Sequence, residues 1–194
     1  MTSRWGPLGW MTLHSISVCY PAQPTIIDKK LLDEFMQAFG MTISCSICNE
    51  HFSKMFKDYK NAVPTWDNSR YDLFIAICKM HNTVNKRLNK PIPKTVGDCL
   101  TVLRDATKYS PPSEFRKRYI EYLYTQWKHL LGLKQKVDLM KKINEDYWTN
   151  RETGYNGLDF DMTADTTTYP NQPVEQKVIF PRMTLRNIKW NPRA

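Results

Sequence analysis

Four successive stretches of this chain place apolar residues at the three-and-four spacing of one helix face, and no alternation of period two is sustained beside them. Pro7 suits a first helical turn, and Trp10, Leu13, His14 and Ser17 follow on one face until Tyr20-Pro21 ends the pattern. Asp28 reads as the N-cap of a second helix carrying Leu31, Leu32, Phe35, Met36 and Phe39, with Gly40 weakening its end. A third starts near Ser44 and carries Cys48, Phe52, Met55, Phe56 and Tyr59, ending before Pro64. Asp67-Asn68-Ser69 caps a fourth, on which Tyr71, Phe74, Ile75, Cys78, His81, Asn82 and Asn85 share a face until Pro91 and Pro93. A short fifth helix is expected from Val96 to Ala106. Such stripes can be buried only by packing helices on one another, so the direct reading is an all-α bundle.

The character changes after Ser110-Pro111-Pro112. Phe115, Tyr119, Tyr122, Leu123 and Trp127 suggest a helix closed near Gly132, and Val137, Met140, Ile143 and Tyr147 suggest another. The expected division is therefore a bundle over residues 1–108 and an extension over 109–194, helical over about 113–149 and irregular beyond. Val174 to Ala194 is expected to hold one strand or to drape over the surface. A chain of 194 residues with 41% hydrophobic content has enough apolar material for one core or a small domain with an appendage.

A net charge of +9 favours negatively charged partners, but Lys and Arg are not concentrated with exposed aromatics at one place, which argues against a nucleic-acid interface. The N-terminal residues lack the apolar run of a secretory signal, and no stretch approaches the roughly 20 apolar residues of a membrane span. A soluble protein outside the secretory pathway is the expectation. Five cysteines are too few for a disulfide-dense secreted scaffold, and Cys19, in an apolar segment, reads as a buried free thiol.

Cys45-Ser46-Ile47-Cys48 carries the chemistry. A cysteine opening a helix lies near unpaired N–H groups and the positive end of the dipole, which stabilises a thiolate, and the two-residue spacer lets both sulfurs bond. The pair alone leaves redox chemistry, metal binding and packing open. Cys45, Cys48, Cys78 and His81 together offer four zinc ligands at accepted local spacing. Against zinc stands the polar group His81, Asn82 and Asn85, because amides are poor zinc ligands and good partners for a flat heteroaromatic ring or a ribose. A satisfied hydrogen-bond network in the core is the purely structural alternative. His14 and His51 fall near the same place by helical position, leaving only His129 outside.

Trp5-Gly6-Pro7-x-x-Trp10-x-x-x-His14 with Tyr20-Pro21, Cys45-x-x-Cys48-x-x-His51-Phe52, and Cys78-x-x-His81-Asn82-x-Val84-Asn85-x-x-Leu88-x-Lys90-Pro91 followed by Cys99 resemble the Erv/ALR family of FAD-linked sulfhydryl oxidases. The resemblance spans about residues 4–105. It implies a four-helix bundle with a short fifth helix, which binds FAD without a GxGxxG loop. It implies that Cys48 sits against the flavin while Cys45 exchanges with substrate. Gly6, Trp10, His14, His51, His81, Asn82, Val84, Asn85 and Lys90 would line the cofactor site, and Cys78 and Cys99 would form a structural disulfide. Two copies would pair through the first helices, and dioxygen would be reduced to hydrogen peroxide.

Two departures qualify the resemblance. No second CxxC follows Cys99, so electrons must come directly from a protein dithiol, for example a thioredoxin-like partner. Such shuttle-less chains resemble the oxidases of large DNA viruses, which places the protein in host cytoplasm or virion, with the mitochondrial intermembrane space as the alternative compartment. The aromatic residue expected about seven positions after the last family cysteine is Ala106, leaving Tyr109 as the candidate substitute at the adenine end. The rival function is a zinc-stabilised helical interaction module built on Cys45, Cys48, Cys78 and His81.

Overall fold

Pro21, Pro64, Pro91, Pro93, Pro111 and the capping residues beside them separate seven α-helices among the described residues. The computed structural model describes residues 5–170. The helices are α1 (Trp5–Cys19), α2 (Ile26–Thr42), α3 (Ser46–Ala62), α4 (Arg70–Arg87), α5 (Val96–Ala106), α6 (Pro112–Trp127) and α7 (Leu131–Ile143), followed by a π-helical turn over Asn144–Trp148. The expected all-α class holds. Among the described residues the only strand-like pairing is an isolated bridge between Thr95 and Asp165. The expected strand within Val174 to Ala194 lies outside the described residues.

Local chemistry sets the helix starts. Asp28 is not the N-cap of α2; Thr25 is. Thr25 Oγ1 accepts the Asp28 N–H at 3.3 Å, and Asp28 Oδ2 accepts the Thr25 N–H at 2.7 Å. The carboxylate reaches back to the cap, so the Thr-x-x-Asp spacing satisfies two orphan donors reciprocally. Thr95 and Asp98 repeat the arrangement at α5, and Ser69 caps α4. Gly132 does not close α6, which ends at Trp127; the glycine lies in the first turn of α7. It has no positive φ, so the left-handed cap that would stop a helix there is absent.

The core is continuous across residue 108. Leu13, Ile16, Leu32, Phe35, Met36, Phe39, Phe52 and Ile77 of the bundle belong to one buried cluster with Tyr119, Leu123, Val137 and Met140 of α6 and α7. Tyr119, Leu123, Val137 and Met140 are completely buried, and each such side chain contributes about 1.5–3 kcal/mol of apolar transfer. α6 lies along α1 and α7 along α2. At Gly9 the approach is close: a Cβ there would meet Phe39 at 3.2 Å and Tyr119 at 3.4 Å. Part of the surface of α1 and α2 is thus covered by helices of the same chain.

Arg116 fastens this layer. Fully buried on α6, it bonds to Ser15 of α1, donates Nε–H to Asn144 Oδ1 at 2.8 Å and pairs with Glu152. Beyond Arg151 the described residues, to Pro170, form no helix but run as a strap along the start of α5. The Val96 N–H donates to Ala164 O at 3.0 Å, the Gly97 N–H to Met162 O at 2.9 Å, and the Thr166 N–H to Lys94 O at 3.0 Å. Phe160 of the strap packs on Tyr71 and Phe74 of α4, covering the second buried cluster, which holds Cys78 and Cys99.

Candidate active site

Cys45 is itself the N-cap of α3, with an extended backbone, and its Sγ accepts the Cys48 N–H at 3.3 Å. The two cysteines form a disulfide with their Cα atoms 5.1 Å apart. Both sulfurs belong to half-buried residues, and Ile47 between them is 63% exposed, so the bridge stands at the protein surface. Asn49, one residue on, donates Nδ2–H to Gly40 O at 2.7 Å. A Cβ at Gly40 would meet Phe52 and Ser53 of α3 at 3.3 Å, so glycine permits the tight approach of α2 to the cysteine helix.

Three aromatic residues from α1 and α4 meet in one group. Trp10 stacks on His81 with ring centroids 4.4 Å apart and planes 6° from parallel. The Phe52 ring of α3 meets Trp10 edge-on at 6.2 Å, linking the group to the cysteine helix. His14 Nε2 and His81 Nδ1 are hydrogen-bonded at 3.0 Å. Burial holds the His14 imidazole well below its ordinary pKa, with the neighbouring His81 adding to the effect. Burial also lowers His81, to about 4, and the Lys90 charge assists.

The buried His14 Nδ1 and Trp5 Nε1 have no hydrogen-bond partner among the described residues. The orphaned His14 Nδ1 belongs to the stacked group, and a buried polar atom beside stacked rings is what a flat, polar-edged ring system would satisfy, so Trp10, His14 and His81 fit a flavin. A cavity of ≈ 480 Å³ between α2 and α3, lined by Met36, Gly40, Phe52 and Phe56, shares Phe52 with this group.

The other expected cofactor residues divide. Gly6 sits at the start of α1 with open space around its missing Cβ, and Val84 and Asn85 are half-buried on α4. Lys90 is exposed, its N–H bonded to Asn85 O at 2.9 Å. Asn82 is buried, and its Nδ2 is engaged by Pro93 O at 2.8 Å, Thr166 O at 3.0 Å and Thr166 Oγ1 at 3.3 Å; its donor end faces the strap. His51 stands exposed on α3, outside the Trp10–His14–His81 group. Tyr109, the candidate substitute at the adenine end, is 89% exposed.

Cys78 and Cys99 are buried free thiols that neighbour each other across the α4–α5 contact. Burial pushes the Cys78 thiol well up, and the neighbouring Cys99 thiol adds to that. Cys19 is also buried and free. The zinc set is dispersed by these pairings, since Cys45 is bonded to Cys48, Cys78 faces Cys99, and His81 faces His14. No group of three or more His, Cys, Asp or Glu among the described residues is placed to hold a metal ion. The zinc alternative therefore finds no support.

Sequence reasoning missed the residues that approach the cysteine pair from the extension. Trp127 Nε1–H donates to Thr42 O at 2.8 Å, and Tyr122 Oη is hydrogen-bonded to Ser44 Oγ at 2.8 Å. Both partners lie in the few residues leading into Cys45. Thr166, which joins Asn82, Pro93 and Cys99, was missed as well. The apolar stripe on α6 located that helix but held no signal for these polar tips.

The profile of the Erv1 / Alr family matches residues 8–123, reaching into α6. The chain is 36% identical over 86 residues to the mitochondrial FAD-linked sulfhydryl oxidase ERV1 of Saccharomyces cerevisiae, covering 44% of this chain and 43% of that protein. It is 31% identical over 97 residues to the putative FAD-linked sulfhydryl oxidase 347L of Invertebrate iridescent virus 6, covering 48% of this chain and 87% of that one. It is 33% identical over 90 residues to the FAD-linked sulfhydryl oxidase of African swine fever virus, covering 46% of this chain and 71% of that one. The match thus spans less than half the length of the yeast protein and most of the two viral ones.

Proposed function

The chain belongs to the Erv1 / Alr family, and from that membership we propose that it is an FAD-dependent thiol oxidase that forms disulfides in protein substrates. The observation that carries the reading is the half-buried Cys45–Cys48 disulfide at the N-cap of α3, one helical turn from Phe52, which meets a group of flavin-compatible rings.

In this reading a substrate thiolate attacks Cys45 Sγ, breaks the Cys45–Cys48 bond and leaves Cys48 as the thiolate. The second substrate thiol then attacks the substrate sulfur of the mixed disulfide and releases Cys45. The substrate has gained one disulfide and the pair has gained two electrons and two protons. Each released sulfur is stabilised by the helix end, Cys45 directly through the Cys48 N–H. Trp10, His14 and His81 would hold the flavin ring, with Gly6, Val84, Asn85 and Lys90 along its length. FAD, when bound, supplies the two-electron acceptor that restores the disulfide, with dioxygen as the final acceptor and hydrogen peroxide as product.

The substrate is a protein dithiol that reaches the half-buried bridge directly, beside the exposed Ile47; a thioredoxin-like partner with its own CxxC has the required chemistry. The test is the visible spectrum of the purified protein before and after anaerobic dithiothreitol. A flavin band that bleaches with thiol and returns with air supports the oxidase; a protein that is colourless as purified and retains no flavin band after added FAD is removed by gel filtration overturns it.

A further inference from the structure

The connection between α2 and α3 is only Ile43, Ser44 and Cys45, and side chains of the C-terminal layer bond to Ser44 within it and to Thr42 just before it. Thr42 O is one of the carbonyls left without a partner at a helix C-terminus, and it takes the Trp127 indole N–H. The Ser44 hydroxyl takes the Tyr122 hydroxyl. The Thr42 hydroxyl, bonded to Ala38 O at 2.9 Å, lies 3.6 Å from Met140 Sδ of α7. Two of these side chains stand on α6 and one on α7, and they converge on the residues immediately before the redox pair.

We propose that Tyr122 and Trp127 are positioning residues of the redox pair, holding the Thr42–Ser44 connection so that the Cys45 sulfur remains the N-cap of α3 after the disulfide opens. This rests on the thiol-oxidase reading of Cys45–Cys48.

The two redox states need this brace unequally. In the oxidised protein the disulfide itself ties Cys45 to Cys48 on the first turn of α3. Reduction adds two electrons and two protons and removes that covalent tie. The contacts from α6 then keep the Cys45 sulfur over the Cys48 N–H, where a thiolate is stabilised. Interactions that favour the reduced form make a dithiol couple more oxidising. The extension thereby tunes the chemistry of a site to which it contributes no sulfur.

The experiment is a glutathione redox equilibrium of the full chain, wild type against Tyr122→Phe, Trp127→Phe and the double variant. The pH profile of Cys45 alkylation in the reduced protein is measured alongside. The double variant should shift the equilibrium about tenfold toward the disulfide, which corresponds to ~30 mV for a two-electron couple, and should move the alkylation profile to higher pH. Tyr122→Phe and Ser44→Ala delete one hydroxyl from opposite ends of the same bond, so they carry the test if Trp127→Phe does not fold. Equilibria and profiles that superimpose on wild type in folded variants overturn the proposal. Glutathione exchange needs neither flavin nor dioxygen. A shifted equilibrium in a chain without oxidase turnover breaks only the functional reading, and an active oxidase with unshifted variants breaks only this one.

Discussion

His14 Nε2 and His81 Nδ1 face each other at 3.0 Å across the α1–α4 contact, so one ring donates and the other accepts. The bond needs an unprotonated nitrogen, and protonating both rings destroys it. Burial already lowers both imidazoles, His81 to about 4 and His14 well below the ordinary value. The unfolded chain, whose histidines titrate near 6.5, therefore binds more protons than the folded one as the pH falls. The stabilisation is fully present above about pH 6.5 and is lost as pH falls toward 4. For His81 alone the loss between pH 7 and 5 is about 2 kcal/mol. Denaturant midpoints across this range should fall less steeply in His81→Gln than in wild type; parallel curves would contradict the neutral pair.

The cysteine pair makes a separable prediction. Cys48→Ser should reduce dithiol oxidation to background while FAD remains bound, since Trp10, His14 and His81 are untouched. Cys45→Ser should block the reaction one step earlier, so that no mixed disulfide with a protein substrate accumulates. Substantial turnover by either variant would remove Cys45–Cys48 from the electron path.

Cys78 and Cys99 are buried thiols in mutual contact, and a bond between them would close a loop of about twenty residues, worth roughly 3 kcal/mol in the chain-entropy account. We expect oxidised protein to lose two hydrogens at these sulfurs and to melt above the reduced form. Cys99→Ser should erase that difference, and equal melting of the oxidised and reduced wild type would leave the pair as packing thiols.

The sequence located α5 around Val96 to Ala106 and the α4 cap within Asp67-Asn68-Ser69, where the structure puts it at Ser69, because short-range spacing and capping chemistry decide both. The cysteine pair was legible for the same reason, being contained within one turn, whereas the spacing that set Asn82 beside His81 did not show that its amide turns to the strap. Arg116 was not, since charged side chains are ordinarily exposed, and its burial depends on Ser15, Asn144 and Glu152, all distant in sequence. Nor was the Ser44–Tyr122 contact, whose partners stand 78 residues apart. His51 lies one turn beyond Cys48, yet faces solvent. Helical spacing says which residues share a side, but not which side the neighbouring helix takes.

Thr166 offers a test of the strap that closes over α5. Completely buried, it donates its hydroxyl to Pro93 O at 2.8 Å and accepts from Asn82 Nδ2, whose third bond goes to the Thr166 carbonyl. Thr166→Val keeps the shape and the backbone bond but removes the hydroxyl, at a cost of about 1 kcal/mol. Asn82→Ala removes the amide that joins Pro93 to the strap and should cost more, because the buried Thr166 carbonyl is left without its donor. The readout is hydrogen exchange at the Val96 and Gly97 amides, which donate to Ala164 O and Met162 O of the strap. Both variants should speed exchange there, Asn82→Ala the more, while the amides of α1 keep their protection. Unchanged exchange at Val96 and Gly97 in Asn82→Ala would mean that the strap is held by Phe160 against Tyr71 and Phe74 rather than by this polar junction.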